Sequence, residues 1–447
     1  MGGVFKSYDI RGVVPDQLTT GDAYRIGKAA VAYFKAKTLA VARDARIHSP
    51  EISAALMAGI TSAGADCIDL GMNPTPMTYY AAGLLGKKLQ GAIMVTASHN
   101  PSQYNGFKFT RGGALPMSYD TGLSDVEALY KKDQPGLAKK RGKIQVKNMR
   151  AGYIKHCLQF ASIKRPLKIA IDTANGVMGD ILPEILKKVP QIKCVPLYFK
   201  PDGRFPNHDA NPLHLENLAD LQKAVLKNKC DLGVAFDGDG DRVAFVDEKG
   251  VPIPGDIAGA MMAQAVLATN KGANVFYDVR ATKALPEAIT AAGGVALESR
   301  VGHSHIKAGM RAKKAVMAAE LSGHYYFRDF YYSDSGESAF FLVLSLLSQS
   351  KLKASELVQP LQRYHHTGEI NFEVHDAAKA IAAAEAKFGP TAKSVSKVDG
   401  VSIDLGSWWF NLRMSNTEPV VRLNLESLVS KDEMETRKAE LSKLIVS

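Results

Sequence analysis

Three times along the chain an apolar, β-branched run ends in Asp or Gly, gives way to a helical pattern and is followed by a second apolar run. That alternation marks a βαβ unit, whose parallel strands are joined by a crossover helix. The first copy runs from LAVARDAR (39–46) through EISAALMAGITSAG to CIDLG (67–71), and the second from LKIAIDTANG (167–176) through ILPEILKKV to IKCVPLYF (192–199). The third runs from ANVFYDVR (273–280) through ATKALPEAITAAG to GVALESR (294–300). Units of similar build and low mutual identity predict three α/β domains diverged from one ancestor. Residues Ile370 to Ser447 hold strand-like INFEV and VSIDLGSWWFNLRMS with helical ends, and read as a small α+β domain.

Shifts in composition place the joints. KKRGKIQVKNMR (Lys139–Arg150) is basic and nearly free of large apolar residues, DEKGVPIPGD (Asp247–Asp256) carries two prolines and two glycines after a strand, and a third break falls at Thr367–Glu369. The domains expected are 1–148, 149–250, 251–366 and 367–447.

At 46% hydrophobic and 23% charged residues, the 447-residue chain has an ordinary globular composition, which excludes a disordered or fibrous protein. The cysteines Cys67, Cys157, Cys194 and Cys230 have neither zinc-site nor disulfide-framework spacing, so a reducing cytoplasm is expected. AFFLVLSLL (339–347) is too short to span a bilayer and reads as a buried helix; the opening MGGVFKSYDIRG lacks the apolar core of an export signal, and Lys6 stands where a myristoylation signal needs Ser or Thr. Basic residues exceed acidic ones by 56 − 45 = +11, a field that attracts phosphorylated metabolites or nucleic acid. Lysines and arginines form no stripe interleaved with aromatics, so no nucleic acid or membrane partner is expected.

Four segments carry chemistry. GAIMVTASHNP (Gly91–Pro101) is an apolar strand opening into a turn with Thr96, Ser98, His99 and Asn100, and a serine at a strand end presents its hydroxyl while turn N–H groups hold an anion. A Ser98–His99 hydrolase pair is not expected, because adjacent side chains of extended backbone point to opposite faces. DLGVAFDGDGDRVAFVDE (Asp231–Glu248) packs Asp237, Asp239 and Asp241 into one turn between strands. Three carboxylates so close repel unless a cation neutralises them, and an all-oxygen set points to Mg²⁺. An EF-hand is excluded, since Arg242 stands where that loop needs Gly and the flanks are strands. AAELSGHYYF (Ala318–Phe327) groups Glu320, Ser322 and His324 in one turn, where a carboxylate and a hydroxyl either suit vicinal sugar hydroxyls or cap a helix N-terminus. FNLRMSNTEPVVRLNLES (Phe410–Ser427) sets Arg413, Ser415, Asn416 and Thr417 in a polar loop that is either a cradle for a phosphate dianion or an ST-turn joining two strands.

In this order the four loops resemble those of the α-D-phosphohexomutase superfamily, most closely its phosphomannomutase/phosphoglucomutase branch. SYDIRG (7–12) and FPNHDANP (205–212) resemble further family segments, so the likeness covers the whole chain. It implies four domains around a central cleft, the first three sharing an α/β core with a mixed sheet and the fourth a smaller α+β lid. It also implies that Ser98, with His99 in its loop, is the phosphorylated residue and that its phosphate completes the Mg²⁺ shell of Asp237, Asp239 and Asp241. Lys108 and Arg242 would stabilise the transferring phosphoryl group, with Tyr8 and Arg11 beside them. His303, in RVGHSHIK, and Arg280, in FYDVR, match positions of sugar contact and proton transfer, although a guanidinium hardly deprotonates. Glu320, Ser322 and His324 would contact the sugar, and Arg413, Ser415, Asn416 and Thr417 its phosphate.

The implied reaction is reversible phosphoryl transfer between hexose 1- and 6-phosphates of mannose and glucose, by way of a hexose 1,6-bisphosphate that also serves as activator. The enzyme would be a cytoplasmic monomer or weak homodimer. Alternatives are a phosphoglucomutase with little mannose activity, a phosphoglucosamine mutase, which usually has Gln where Leu321 stands, and a phosphatase that lets water reach the phosphoserine.

Overall fold

The computed structural model describes residues 3–414 and 420–446. They form two compact units, Met1–Gly255 with Ser322–Glu356, and Asp256–Leu321 with Leu357–Ser447.

In the first unit, strands Ile10–Val13, Tyr104–Arg111, Gly91–Val95, Thr38–Arg43, Asp66–Met72 and Ile144–Val146 lie side by side in that order. The last four are parallel and Tyr104–Arg111 is antiparallel to both of its neighbours, so the sheet is mixed. Its central strands are continuous apolar runs, Leu39–Ala42 and Ala92–Val95, as burial on both faces demands. Helix Thr20–Phe34 starts at a capping box between Thr19 and Asp22 and packs on helix Ser49–Ser62. The two backbones touch: a Cβ at Gly59 would stand 2.0 Å from the Tyr24 carbonyl oxygen, and one at Gly27 2.3 Å from that of Leu56. Gly59→Ala is therefore expected to cost about 2 kcal/mol by urea unfolding despite the better helix propensity of Ala. A neutral substitution would mean that the helices part at no cost.

The second sheet orders Pro252–Ile253, Val243–Val246, Leu232–Phe236, Leu167–Asp172 and Ile192–Leu197, with the last three parallel. The same unit holds hairpin strands Tyr325–Phe327 and Ser333–Asp334 and the buried helix Gly336–Gln349, the helix expected from AFFLVLSLL. Ser335 caps its N-terminus by accepting from Ser338 N–H. Glu337, in its first turn, is fully buried and accepts from Tyr153 Oη at 2.6 Å. Burial pushes its carboxyl up from 4.5 to about 7, with the hydrogen bonds from Tyr153 and Ser335 only partly opposing. A raised carboxyl favours the folded state below the unfolded value and loses that contribution as pH rises through about 7. Glu337→Gln should therefore gain about 1–3 kcal/mol over wild type in urea unfolding at alkaline pH and converge with it near pH 5.

In the second unit, Val295–Ser299, Asn274–Asp278 and Met317–Ala319 are parallel, with Asn274–Asp278 in the middle. All three βαβ units found in the sequence are thus present, and a finer repeat appears in them. The Asp closing each first strand accepts the N–H two residues on, with Oδ1 of Asp44, Asp172 and Asp278 taking the N–H of Arg46, Ala174 and Arg280 at 3.0, 2.8 and 2.8 Å. Each third strand lies on the other side of the first from the second strand, and the loops carrying Ser98, Asp237 and Glu320 follow these third strands. That reversal of strand order is where open α/β sheets bind ligands.

The C-terminal sheet is antiparallel, ordered His365–Glu373, Val420–Ser427, Trp408–Met414, Val401–Asp404 and Ser394–Ser396. Its alternate residues Phe410, Leu412, Leu423 and Leu425 pack against helices Ala377–Phe388 and Lys431–Val446. The fold is therefore α/β with a smaller α+β C-terminal domain.

Strands run through all three stretches read as joints, Pro252–Ile253 within Asp247–Asp256 among them. Ile144–Val146 pairs with Cys67–Asp69 although all three residues are exposed, so no apolar pattern announces it. Thr367–Glu369 lies within His365–Glu373, at a register shift where Gly368 takes φ +71. Among the described residues no helix is long and apolar enough to cross a membrane, and the four cysteines are free.

Candidate active site

Ser98 follows the Gly91–Val95 strand and is 1% exposed. Thr96 Oγ1 donates to Asp44 Oδ2 at 2.6 Å and accepts the Ser98 N–H at 2.8 Å, which turns the chain so that Ser98 takes the left-handed φ of +52. A non-glycine residue in that region is strained, and such strain gathers at functional sites. The turn also overturns the expectation that Ser98 and His99 point apart, since the backbone here is not extended. Ser98 Oγ donates to Asp237 Oδ2 at 2.9 Å, and His99 Nδ1 lies 3.3 Å from the same hydroxyl. Burial, then the charges of Arg242, Arg11 and Lys108, hold the His99 imidazole well below its ordinary value, so it is neutral near pH 7.

Asp237, Asp239 and Asp241 leave the end of the Leu232–Phe236 strand in one tight turn, with exposures of 0, 0 and 2%. One oxygen from each falls within 4.8 Å of the others. Asp237 Oδ1 accepts from the N–H groups of Gly240 and Arg242 at 2.9 and 3.2 Å. Lys108, on the Tyr104–Arg111 strand opposite Met94, donates from Nζ to Asp239 Oδ2 at 2.7 Å and to Asp241 Oδ2, and Thr75 Oγ1 also donates to Asp239. Burial and its two acidic neighbours push Asp237 far above the usual carboxylate range. Burial opposes ionisation of Asp241 too, but Lys108, His324 and Arg242 together outweigh it and hold that carboxyl low. Lys108 and Arg242 do not offset burial and mutual repulsion at Asp237, and Asp239 Oδ1 is left with no hydrogen-bond donor. An all-oxygen pocket with an orphaned carboxylate oxygen fits a hard divalent cation such as Mg²⁺.

His324 Nε2 lies 3.2 Å from Arg242 Nε and faces Asp241 Oδ1 at 3.3 Å, while its Nδ1 lies 3.1 Å from Ser322 Oγ. Arg11, on the strand beside Tyr104–Arg111, donates to Asn100 Oδ1 at 2.5 Å and pairs with Asp9, while Tyr8 is half-buried in the same segment. The first unit thus gathers Ser98, His99, Lys108, Arg11, Arg242, His324, Ser322 and the three aspartates.

The second unit holds a separate cluster. Arg280 grips Asp278 through Nε at 3.1 Å and Nη2 at 2.8 Å, and also faces Glu369 at 3.6 Å and Glu320 at 3.9 Å. Burial works against its charge, but Asp278, Glu369 and Glu320 more than compensate, so Arg280 is a fixed cation and not a base. Glu320 Oε1 accepts the Gly302 N–H at 3.2 Å, just before helix His303–Lys313, whose first residue is half-buried. Buried Arg413 pairs with Glu369 at 2.5 Å, and Arg422 joins the same carboxylate at 3.2 Å. Glu369 escaped the sequence reading, which placed a joint on it. Ser415, Asn416 and Thr417 lie outside the described residues.

Family models match nearly end to end: phosphoglucomutase/phosphomannomutase alpha/beta/alpha domain I over residues 2–136, domain II over 151–250, domain III over 254–364 and the C-terminal domain over 369–444. A phosphomannomutase of Salmonella montevideo is 40% identical over 99% of both chains. A phosphoglucomutase/phosphomannomutase family protein of Burkholderia thailandensis superposes with a TM-score of 0.92 at 32% identity, over 99% of this chain and 96% of that one. The N-acetylphosphoglucosamine mutase of Aspergillus fumigatus, solved with GlcNAc-6P and magnesium, shares the fold at a TM-score of 0.60 and 16% identity, over 92% of this chain and 83% of that one. With its loops in this order and a match along its whole length, the chain belongs to the phosphoglucomutase/phosphomannomutase family of phosphohexomutases.

Proposed function

We propose that the chain is a phosphomannomutase/phosphoglucomutase that interconverts hexose 1- and 6-phosphates through a phosphoserine at Ser98. The observation that carries this reading is the Ser98 hydroxyl 2.9 Å from Asp237, inside a buried acidic triad beside Lys108. In the proposed cycle, phosphoserine 98 passes its phosphoryl group to the free hydroxyl of a hexose 1- or 6-phosphate. The resulting 1,6-bisphosphate turns over and returns its other phosphate to Ser98. Little covalent work falls to the protein, and positioning and charge carry the acceleration. Mg²⁺, held by Asp237, Asp239, Asp241 and the phosphate of Ser98, would supply charge neutralisation at the transferring phosphoryl group.

Lys108 and Arg242 add positive charge there, with Arg11 and Tyr8 beside the loop. Arg280 acts as a cation only, which leaves proton transfer to His303. Arg413 with Ser415, Asn416 and Thr417 would grip the non-reacting phosphate, and because both ends of the bisphosphate present the same group, the grip serves either orientation. The similarity to phosphomannomutases supports mannose as a substrate, and Leu321 in place of Gln argues against glucosamine. A phosphoglucomutase with little mannose activity and a phosphatase that lets water reach the phosphoserine are the remaining alternatives.

Mannose and glucose differ only at C2, so a site holding O3 and O4 through Glu320 and Ser322 gains no discrimination from those contacts. Glu320→Ala is expected to lower kcat/KM about 10²-fold on both mannose 1-phosphate and glucose 1-phosphate, assayed in parallel with trace glucose 1,6-bisphosphate, while Ser98 still accepts phosphate. Loss on one sugar alone would mean that Glu320 reads C2. Absence of mutase turnover on both sugars by the wild-type enzyme would overturn the proposed activity.

A further inference from the structure

Under the Ser98 loop lies a cation that the proposed chemistry does not use. Arg46 follows the Thr38–Arg43 strand, and its side chain is 0% exposed. Its guanidinium spends four hydrogen bonds on one short stretch of backbone. Nη2 donates to the carbonyls of Ser98 and Asn100 at 2.8 and 2.6 Å, and Nη1 to those of Pro101 and Tyr104 at 2.7 and 3.0 Å. Nε faces Asp44 Oδ2 at 3.2 Å, and Asp44 also accepts from Thr96, the residue that holds the Ser98 N–H. Ser98 is therefore fixed from both sides, its N–H through Asp44 and Thr96 and its carbonyl through Arg46.

Phe205 supports the other face of this cation, with the Arg46 guanidinium 5.1 Å from its ring centroid. It comes from FPNHDANP, a segment to which the catalytic cycle assigns no role. The ring also borders the metal loop: a Cβ built on Gly238 would lie 3.6 Å from Phe205 Cζ and 2.6 Å from the Ser98 carbonyl oxygen. One ring and one guanidinium thus register the serine loop against the turn that carries Asp237 and Asp239. A planar fork can serve four carbonyls from one position, whereas a lysine offers a single point of charge.

We infer that Arg46, seated on Phe205, is a positioning residue that sets Ser98 Oγ against the acidic triad for phosphoryl transfer. The inference rests on the phosphoserine reading of Ser98. Misplacing a reacting atom by about 1 Å costs on the order of 10²-fold in rate. Arg46 is buried beneath the loop, so the loss belongs in kcat and not in substrate binding.

The test uses Arg46→Lys, Phe205→Leu and Phe205→Tyr in the full chain, with glucose 1-phosphate as substrate and glucose 1,6-bisphosphate as activator. Arg46→Lys should lower kcat about 10²-fold and Phe205→Leu about 10-fold, each with KM within about threefold of wild type. Phe205→Tyr keeps the ring beneath Arg46 and should keep more of the wild-type kcat than Phe205→Leu. The rate at which glucose 1,6-bisphosphate phosphorylates Ser98, followed by intact mass, should fall in step with kcat. If Arg46→Lys does not fold, Phe205→Leu and Phe205→Tyr decide the matter. A wild-type rate of phosphorylation in Phe205→Leu, or a loss confined to KM, overturns the inference alone. A wild-type enzyme that takes no phosphate on Ser98 overturns the phosphoserine reading beneath it.

Discussion

Ser98→Ala is expected to remove the covalent phosphate and to reduce mutase turnover about 10³-fold or more, because the hydroxyl is the group that accepts and donates the phosphoryl. The variant should fold, since serine and alanine meet the same left-handed backbone cost at φ +52 and the loop is held by Thr96 and Arg46, not by the Ser98 side chain. The neighbour His99 makes the experiment sharper. Its Nδ1 stands 3.3 Å from the missing hydroxyl and its ring is neutral, so it is the nearest alternative nucleophile. Phosphohistidine is acid-labile and phosphoserine is not. Intact mass before and after acid treatment therefore separates the two carriers. Wild-type protein should carry an acid-stable phosphate and Ser98→Ala none; full activity in the variant, or an acid-labile phosphate in the wild type, would sink the assignment to Ser98.

Much of this site is local in sequence, and that part was legible. Apolar strand, turn and helix alternate within each βαβ unit, and the acidic turn between Phe236 and Val243 lies within one hairpin. What escaped depends on contacts made across the fold. Arg46 reaches Ser98 from 52 residues away, and no pattern around LAVARDAR marks that partner. Phe205 carries no chemistry of its own until the fold sets it against Arg46 and beside Gly238. Glu369 holds Arg280, Arg413 and Arg422 together, yet it sits beside a Gly-containing register shift that reads locally as a break. The Ser98–His99 geometry was missed for a backbone reason: alternation of side chains holds for extended residues, and a single left-handed residue cancels it.

Removing divalent metal should abolish turnover without unfolding the protein, and this separation follows from Lys108. Its ammonium bridges Asp239 and Asp241, which offsets enough of the repulsion to keep the turn in place. It cannot offset all of it, as the raised Asp237 carboxyl and the orphaned Asp239 Oδ1 show. EDTA-treated enzyme should therefore keep its far-UV circular dichroism and lose its activity, and Mg²⁺ should restore the activity. Binding has a readout of its own: at about 100-fold excess over its Kd, Mg²⁺ should stabilise the protein by about 2.7 kcal/mol, seen as a higher Tm. Asp239→Asn removes a carboxylate charge from the donor set and leaves Lys108 without one of its two ion-pair partners. That variant should lose about 10²-fold or more in kcat and show little Mg²⁺-dependent rise in Tm. Undiminished turnover in metal-free buffer would sink the metal assignment, and an equal Mg²⁺ shift in wild type and Asp239→Asn would place the ion elsewhere.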